Sequence, residues 1–172
     1  KGDRLMDQNI NLCFILGEFF QLKPNQIQRG IESYKGSKHR LISYKFKKIY
    51  LIDDTYNANP SGIRYAMEYL NQFSGRKIAI LGDMLELGTV SAKEHQKVPD
   101  YAVNYGIELI VTYGHHFSQI QSEKCDVVSF INREKMHDYL SMEIKAGDVI
   151  LCKGSRGLKM EKTVEFLKNK YE

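Results

Sequence analysis

From about Lys47 onward, short and nearly continuous apolar runs alternate with stretches whose apolar positions recur every three or four residues. The apolar runs predict strands at 49–53, 77–81, 108–112, 126–130 and 148–152. Between the first two runs, Ile63, Ala66, Met67, Leu70 and Phe73 are spaced for one face of a helix. Ser91 to Glu94 reads S-A-K-E, the form of a capping box that opens the next helix. Pro99 strains that helix unless a break lies close by. Asn132 suits the N-cap of a further helix, and 158–167 forms the last. Strands that are apolar on both faces, alternating with helices, predict parallel strands covered from both sides. Residues 47–172 therefore read as one doubly wound α/β domain.

The first 46 residues have a different texture. Positions 9–20 are apolar nearly all round, which suits a helix buried in a larger body. Pro24 fits the first turn of a second helix, with Ile27, Ile31 and Tyr34 on one face. Y-K-G-S-K-H-R at 34–40 then breaks the pattern. Residues 1–46 read as the tail of another domain whose main body is absent, and the chain starts at Lys1 rather than at Met.

Composition narrows the function classes. A length of 172 residues suffices for one full domain plus a fragment. The net charge of +4 is mild, with lysines spread and no basic–aromatic repeat, which argues against nucleic-acid binding. No apolar stretch reaches membrane-spanning length. Cys13, Cys125 and Cys152 are isolated, odd in number and without C-x-x-C spacing. That argues against a disulfide framework or a zinc site, and predicts buried free thiols in a reducing cytoplasm.

Four polar clusters fall just after predicted strands: D-D-T-Y-N-A-N-P-S-G at 53–62, G-D-M-L-E-L-G at 82–88, T-Y-G-H-H-F at 112–117 and K-G-S-R-G at 153–157. Any one of them could be ordinary turn chemistry. Together they outline a ligand-binding rim at the carboxyl ends of the strands. Asp53 and Asp54 could accept hydrogen bonds from ribose hydroxyls, or one of them could cap the helix after Pro60. K-G-S-R-G could hold a carboxylate or a phosphate, with Arg156 bidentate and Lys153 a point charge. The chain contains neither the P-loop spacing nor G-x-G-x-x-G.

The histidines favour contact and structural roles over metal. His39, beside Arg40, is a candidate nucleotide contact, and His95 could bond a loop or complete a structural network. His115 and His116 are adjacent and point apart in any regular element, so with His137 they read as surface or structural residues. No spacing supports zinc.

The quoted clusters, with I-L-G-D-M-L-E-L-G, Glu94–His95 and K-G-S-R-G-L-K-M-E in this order, resemble the Mur ligases of peptidoglycan synthesis along essentially the whole chain. The resemblance implies a three-domain protein: a first domain for the UDP-sugar precursor, a central one for ATP, and a Rossmann-like C-terminal domain with a mostly parallel sheet that closes over the site. Residues 1–46 look like the end of the central domain and 47–172 like the C-terminal domain. The family's buried central helix usually opens with an Asn-x-x-Asn pair; Asn9 fits the second position, whereas Met6 occupies the first. By the same resemblance, Arg40, Asp54, Asn57, Asn59 and Asn9 bind nucleotide, with Asp54 on the ribose. Lys153, Ser155 and Arg156 then face the incoming dipeptide or the growing peptide.

The implied reaction is ATP-driven amide formation between UDP-N-acetylmuramoyl-tripeptide and D-alanyl-D-alanine through an acyl phosphate, with Mg2+ offsetting phosphate charge. The phosphate-cradling loop, the magnesium ligands and the UDP-sugar pocket are expected upstream of Lys1, so the 172 residues alone are expected to be inactive. No catalytic and no metal-ligating residue is expected in this chain. The implied protein is cytoplasmic and monomeric. Two alternatives stand beside this reading: a sister ligase adding a different amino acid, and a stand-alone nucleotide- or anion-binding module.

Overall fold

The structure, a computed structural model, describes the backbone of residues 4–34 and 37–172 and side chains from Asn9 onward. The chain divides into two compact units, Lys1–Ser37 and Lys38–Glu172.

The first unit is a pair of helices, α1 (Arg4–Phe19) and α2 (Pro24–Glu32). Pro24 opens α2, where its missing N–H costs no hydrogen bond. The helices meet at Gly17, where an added Cβ would lie 2.5 Å from the Ile27 side chain, and Ile27 is buried. Leu12, Ile15, Leu16 and Phe19 of α1 are exposed, as is Phe20 just beyond it, an apolar surface wider than the nine-residue α2 can cover.

The second unit is a six-stranded sheet with helices on both faces. Its elements are β1 (Ile42–Lys45), β2 (Tyr50–Asp54), α3 (Pro60–Leu70), β3 (Lys77–Gly82), α4 (Ser91–Gln96), α5 (Val98–Asn104), β4 (Leu109–Tyr113), β5 (Asp126–Phe130), α6 (Arg133–Glu143), β6 (Val149–Lys153) and α7 (Glu161–Tyr171). The strand order is β1-β2-β6-β3-β4-β5. All neighbours are parallel except β1, which pairs antiparallel with β2.

Side-chain alternation splits the core into two layers. Ile52, Ala79, Leu81, Ile110 and Leu151 pack with Ile63, Met67 and Leu70 of α3 and Val98 and Ala102 of α5. Leu51, Ile78, Ile80, Val111 and Ile150 pack with Met136 and Leu140 of α6 and Val164 and Leu167 of α7. This is the doubly wound arrangement expected. β6, last in the chain, inserts between β2 and β3, which sets the K-G-S-R-G loop between the D-D-T-Y-N-A-N-P and G-D-M-L-E-L-G loops.

Three local expectations need correction, and the break that Pro99 requires is present. Residues 42–45 form an edge strand with alternating exposure, so the second unit begins near Lys38 rather than at 47. Ser91 is the first helical residue of α4 rather than its cap, and its carbonyl accepts from His95 Nδ1 at 2.8 Å. The helix breaks at Lys97, which relieves Pro99 by placing it in the first turn of α5. All three thiols are free, but only Cys152 is buried and Cys13 is exposed.

Candidate functional site

Asp53, one residue before the end of β2, is a fully buried carboxylate with its oxygens occupied. Oδ1 accepts from the Thr55 amide at 3.1 Å and hydroxyl at 2.7 Å, which makes a local turn after the strand. Oδ2 lies 2.7 Å from His39 Nδ1. The His39 carbonyl in turn accepts from the Tyr56 amide at 2.9 Å. His39 and Leu41 both have positive φ, 60° and 49°, so this segment holds a strained path against the turn. Arg40 lies between them.

Asp54 sits beside it under different constraints. Its Oδ2 accepts from Lys153 Nζ at 2.5 Å, and the same ammonium donates to the Asn57 carbonyl at 2.8 Å. Both residues are buried, Asp54 at 8% and Lys153 at 5% exposure. Burial pushes the Asp54 carboxyl above its ordinary value, and the Lys153 ammonium offsets this only in part. The pair clamps the ends of the parallel neighbours β2 and β6 together.

Ser155 ties three loops at one atom cluster. Its Oγ accepts from the Leu85 amide at 2.8 Å and donates to the Ala58 carbonyl at 3.4 Å, while its own amide donates to the Asp83 carbonyl at 3.2 Å. The Asp83 carboxylate accepts from the His116 and Phe117 amides at 3.0 and 2.9 Å, which fixes the loop after β4. That approach demands glycine at 114, where φ is +132° and a Cβ would fall 2.2 Å from Asp83 Oδ2. His95 completes the scaffold: Nδ1 donates to the Ser91 carbonyl and Nε2 accepts from the Met84 amide at 3.0 Å. Those partners fix one neutral tautomer, and burial lowers its pKa below the ordinary value.

Above this floor lies an open pocket of about 340 Å³ whose lining includes Tyr56, Asn57, Leu85, Glu86 and Arg156. The exposed Tyr56 ring carries two guanidinium groups, Arg40 at 4.3 Å and Arg156 at 5.9 Å from its centroid. Among the described residues Arg40, Arg156 and Glu86 form no ion pair. Their charges are available to a ligand.

The sequence-predicted residues thus separate by role. Arg40 and Arg156 meet at Tyr56. Asp54 and Lys153 are bonded to each other, and Ser155 is a buried tie. Asn59 caps α3, accepting from the Gly62 amide at 2.7 Å, so neither aspartate is the cap. Asn57 Oδ1 accepts from the Ala58 amide at 2.9 Å beside the pocket. Asn9 is exposed on α1 in the first unit. His115 and His116 are exposed, and His137 stacks on Phe166 at 4.1 Å. Sequence reasoning missed Tyr56, Asp83 and Glu86; each lies inside a quoted cluster, where position alone did not separate them from turn residues. Among the described residues no three His, Cys, Asp or Glu side chains converge as metal ligands, and no helix is long and apolar enough to cross a membrane.

Comparisons with known proteins agree with this layout. A family model described as Mur ligase, glutamate ligase domain, matches residues 39–156. The UDP-N-acetylmuramoyl-tripeptide--D-alanyl-D-alanine ligase of Buchnera aphidicola subsp. Acyrthosiphon pisum is 40% identical over 119 residues, covering 68% of this chain and 26% of that protein. Its namesake from Haemophilus influenzae is 32% identical over 151 residues, covering 84% and 33%. A crystal structure of MurF from Acinetobacter baumannii superposes with a TM-score of 0.81 at 27% identity, over 94% of this chain and 37% of that one. The MurF ligase of Thermotoga maritima in complex with ADP gives 0.75 at 25% identity, over 91% and 36%. The chain spans a quarter to a third of the length of these curated relatives. With the family model covering most of the α/β unit and relatives aligning beyond it, the chain belongs to the Mur ligase family.

Proposed function

We propose that this chain is the C-terminal part of an ATP-dependent ligase that joins D-alanyl-D-alanine to UDP-N-acetylmuramoyl-tripeptide in peptidoglycan synthesis. The observation that carries this reading is the pocket beside Tyr56 at the carboxyl end of the sheet, where Arg156 has no ion pair among the described residues. An unpaired guanidinium on a rigid loop is a ready partner for a planar carboxylate such as a peptide C-terminus. The relatives named for this reaction support the substrate assignment.

On this reading the α/β unit positions substrates and excludes water as it closes over the site, and the chemistry proceeds through an acyl phosphate made from ATP. Arg40 faces the nucleotide from the strained segment beside Asp53. Asp54 reaches the ribose with what its pairing to Lys153 leaves accessible, a side-chain exposure of 12%. Asn57 and Asn59 shape the loop between them. Lys153 and Ser155 act on the dipeptide indirectly, by holding the loop that carries Arg156. The first unit closes the ATP-binding domain, with Asn9 on its nucleotide side. The donor set here does not fit magnesium by itself, because no cluster of carboxylates converges among the described residues. Mg2+ and most of the ATP contacts belong to the rest of the enzyme, which works as a cytoplasmic monomer.

The test is amine-dependent ADP release by the full-length ligase carrying this domain, given UDP-N-acetylmuramoyl-tripeptide and ATP. D-alanyl-D-alanine should support turnover, and single amino acids should not. Turnover with a free amino acid in place of the dipeptide assigns the chain to a sister ligase. Nucleotide binding without turnover for any amine assigns it to a binding module.

A further inference from the structure

The pocket beside Tyr56 holds one guanidinium, Arg156, and one carboxylate, Glu86, yet the two are not paired with each other or with any other described residue. Opposite charges that share a pocket without meeting leave room for a ligand that carries both. A polyphosphate does not suit this pocket, because Glu86 would repel it. A simple carboxylate would use Arg156 and leave Glu86 without purpose. A zwitterion uses both charges, and the lining also offers the apolar parts of Tyr56 and Leu85.

The backbone of Glu86 is held in place, although its side chain is exposed. Its φ is +67°, a backbone conformation rarely adopted by residues other than glycine, asparagine and aspartate. The loop can keep that conformation because the preceding amides are fixed: Met84 donates to His95 Nε2 and Leu85 donates to Ser155 Oγ. Leu85 also packs on Gly157, where a Cβ would lie 2.9 Å from its Cδ1. The loop bearing Glu86 is therefore tied to the loop bearing Arg156, so the fold sets where the two side chains are rooted.

We propose that Glu86 is the specificity-determining residue for the free amino group of the incoming dipeptide, which it binds as the ammonium while Arg156 binds the carboxylate. This rests on the reading of the pocket as the dipeptide site. It adds that the site selects a zwitterion and rejects an N-blocked peptide. Holding the ammonium also fixes the nitrogen that must become the nucleophile, which gives the contact a positioning value beyond affinity.

The test is an NMR-monitored titration of the full-length ligase carrying this domain with D-alanyl-D-alanine and with N-acetyl-D-alanyl-D-alanine, following the signals of Tyr56, Leu85 and Gly157. The free dipeptide should bind about fivefold tighter than the acetylated one, the scale of one partly exposed charge pair. Glu86→Gln should abolish that preference and leave binding of the acetylated peptide unchanged. The comparison of ligands on the unmodified chain needs no variant to fold. Binding of both peptides at the pocket with equal affinity overturns the role of Glu86 alone, as does a preference that survives Glu86→Gln. Absence of any shift at the pocket with either peptide overturns the dipeptide site and the inference with it.

Discussion

The floor and the rim of the site are built from similar residues and behave in opposite ways. On the floor, Asp53, Asp54, Asp83, His95, Lys153 and Ser155 are buried and bonded to protein groups. On the rim, Arg40, Glu86 and Arg156 are exposed and, among the described residues, free of ion pairs. A buried polar group left without a partner is costly, so the floor residues are committed to one another. An exposed charge is satisfied by water and can exchange that water for a ligand. Residue type therefore does not tell position from recognition at this site; burial and pairing do.

The comparison breaks most severely at Lys153. Lys153→Met leaves the Asp54 carboxylate buried without its counter-charge, which should cost ~3–5 kcal/mol of unfolding free energy. Chemical denaturation at pH 7 measures it. Because burial already raises the Asp54 pKa, losing the ammonium raises it further. A carboxyl whose folded pKa lies above its unfolded value contributes stability below the unfolded value, about 3.8, and loses it as pH rises through the folded one. The variant should therefore recover stability on acidification relative to the parent. Adding Asp54→Leu should restore much of the loss at pH 7. If Lys153→Met denatures like the parent, Lys153 belongs to the rim.

Much of the fold was legible because parallel strands covered on both faces read as continuous apolar runs. All five mutually parallel strands, β2 to β6, lie within one residue of the positions that the runs predict. β1 escaped because an edge strand alternates and is only four residues long. The clusters were legible as a rim because they follow the strands. Their internal division was not, since the deciding bonds join distant residues: Lys153 to Asp54 across 99 positions and Leu85 to Ser155 across 70. A lysine in K-G-S-R-G reads as a ligand contact until the strand order sets β6 against β2.

A smaller effect comes from His95, whose neutral tautomer the floor requires. Burial lowers its pKa below 6.5, as it does for His137. Below about pH 6.5 the unfolded chain then binds more protons than the folded one, so stability falls as pH drops toward the folded values. Denaturation midpoints measured from pH 7.5 to 5 should show this decline. His95→Gln should flatten the slope without abolishing it, because His137 retains its share. An unchanged slope removes His95 from the buried floor.

The smallest expected effect on stability is at Arg156, and it sharpens the comparison most. Its guanidinium rests over the Tyr56 ring at 5.9 Å, the far end of cation–π range, and has no carboxylate partner among the described residues. Arg156→Ala should change unfolding free energy by less than about 0.5 kcal/mol. The neighbouring Ser155 bonds, which hold the loop, involve none of its side-chain atoms. If Arg156 is free to recognise a carboxylate, the variant should lose dipeptide binding while denaturing like the parent. A clear loss of stability would mean that the guanidinium braces Tyr56 and belongs to the floor. The pairing of an unmoved denaturation midpoint with a lost titration response is what separates a residue that recognises from one that supports.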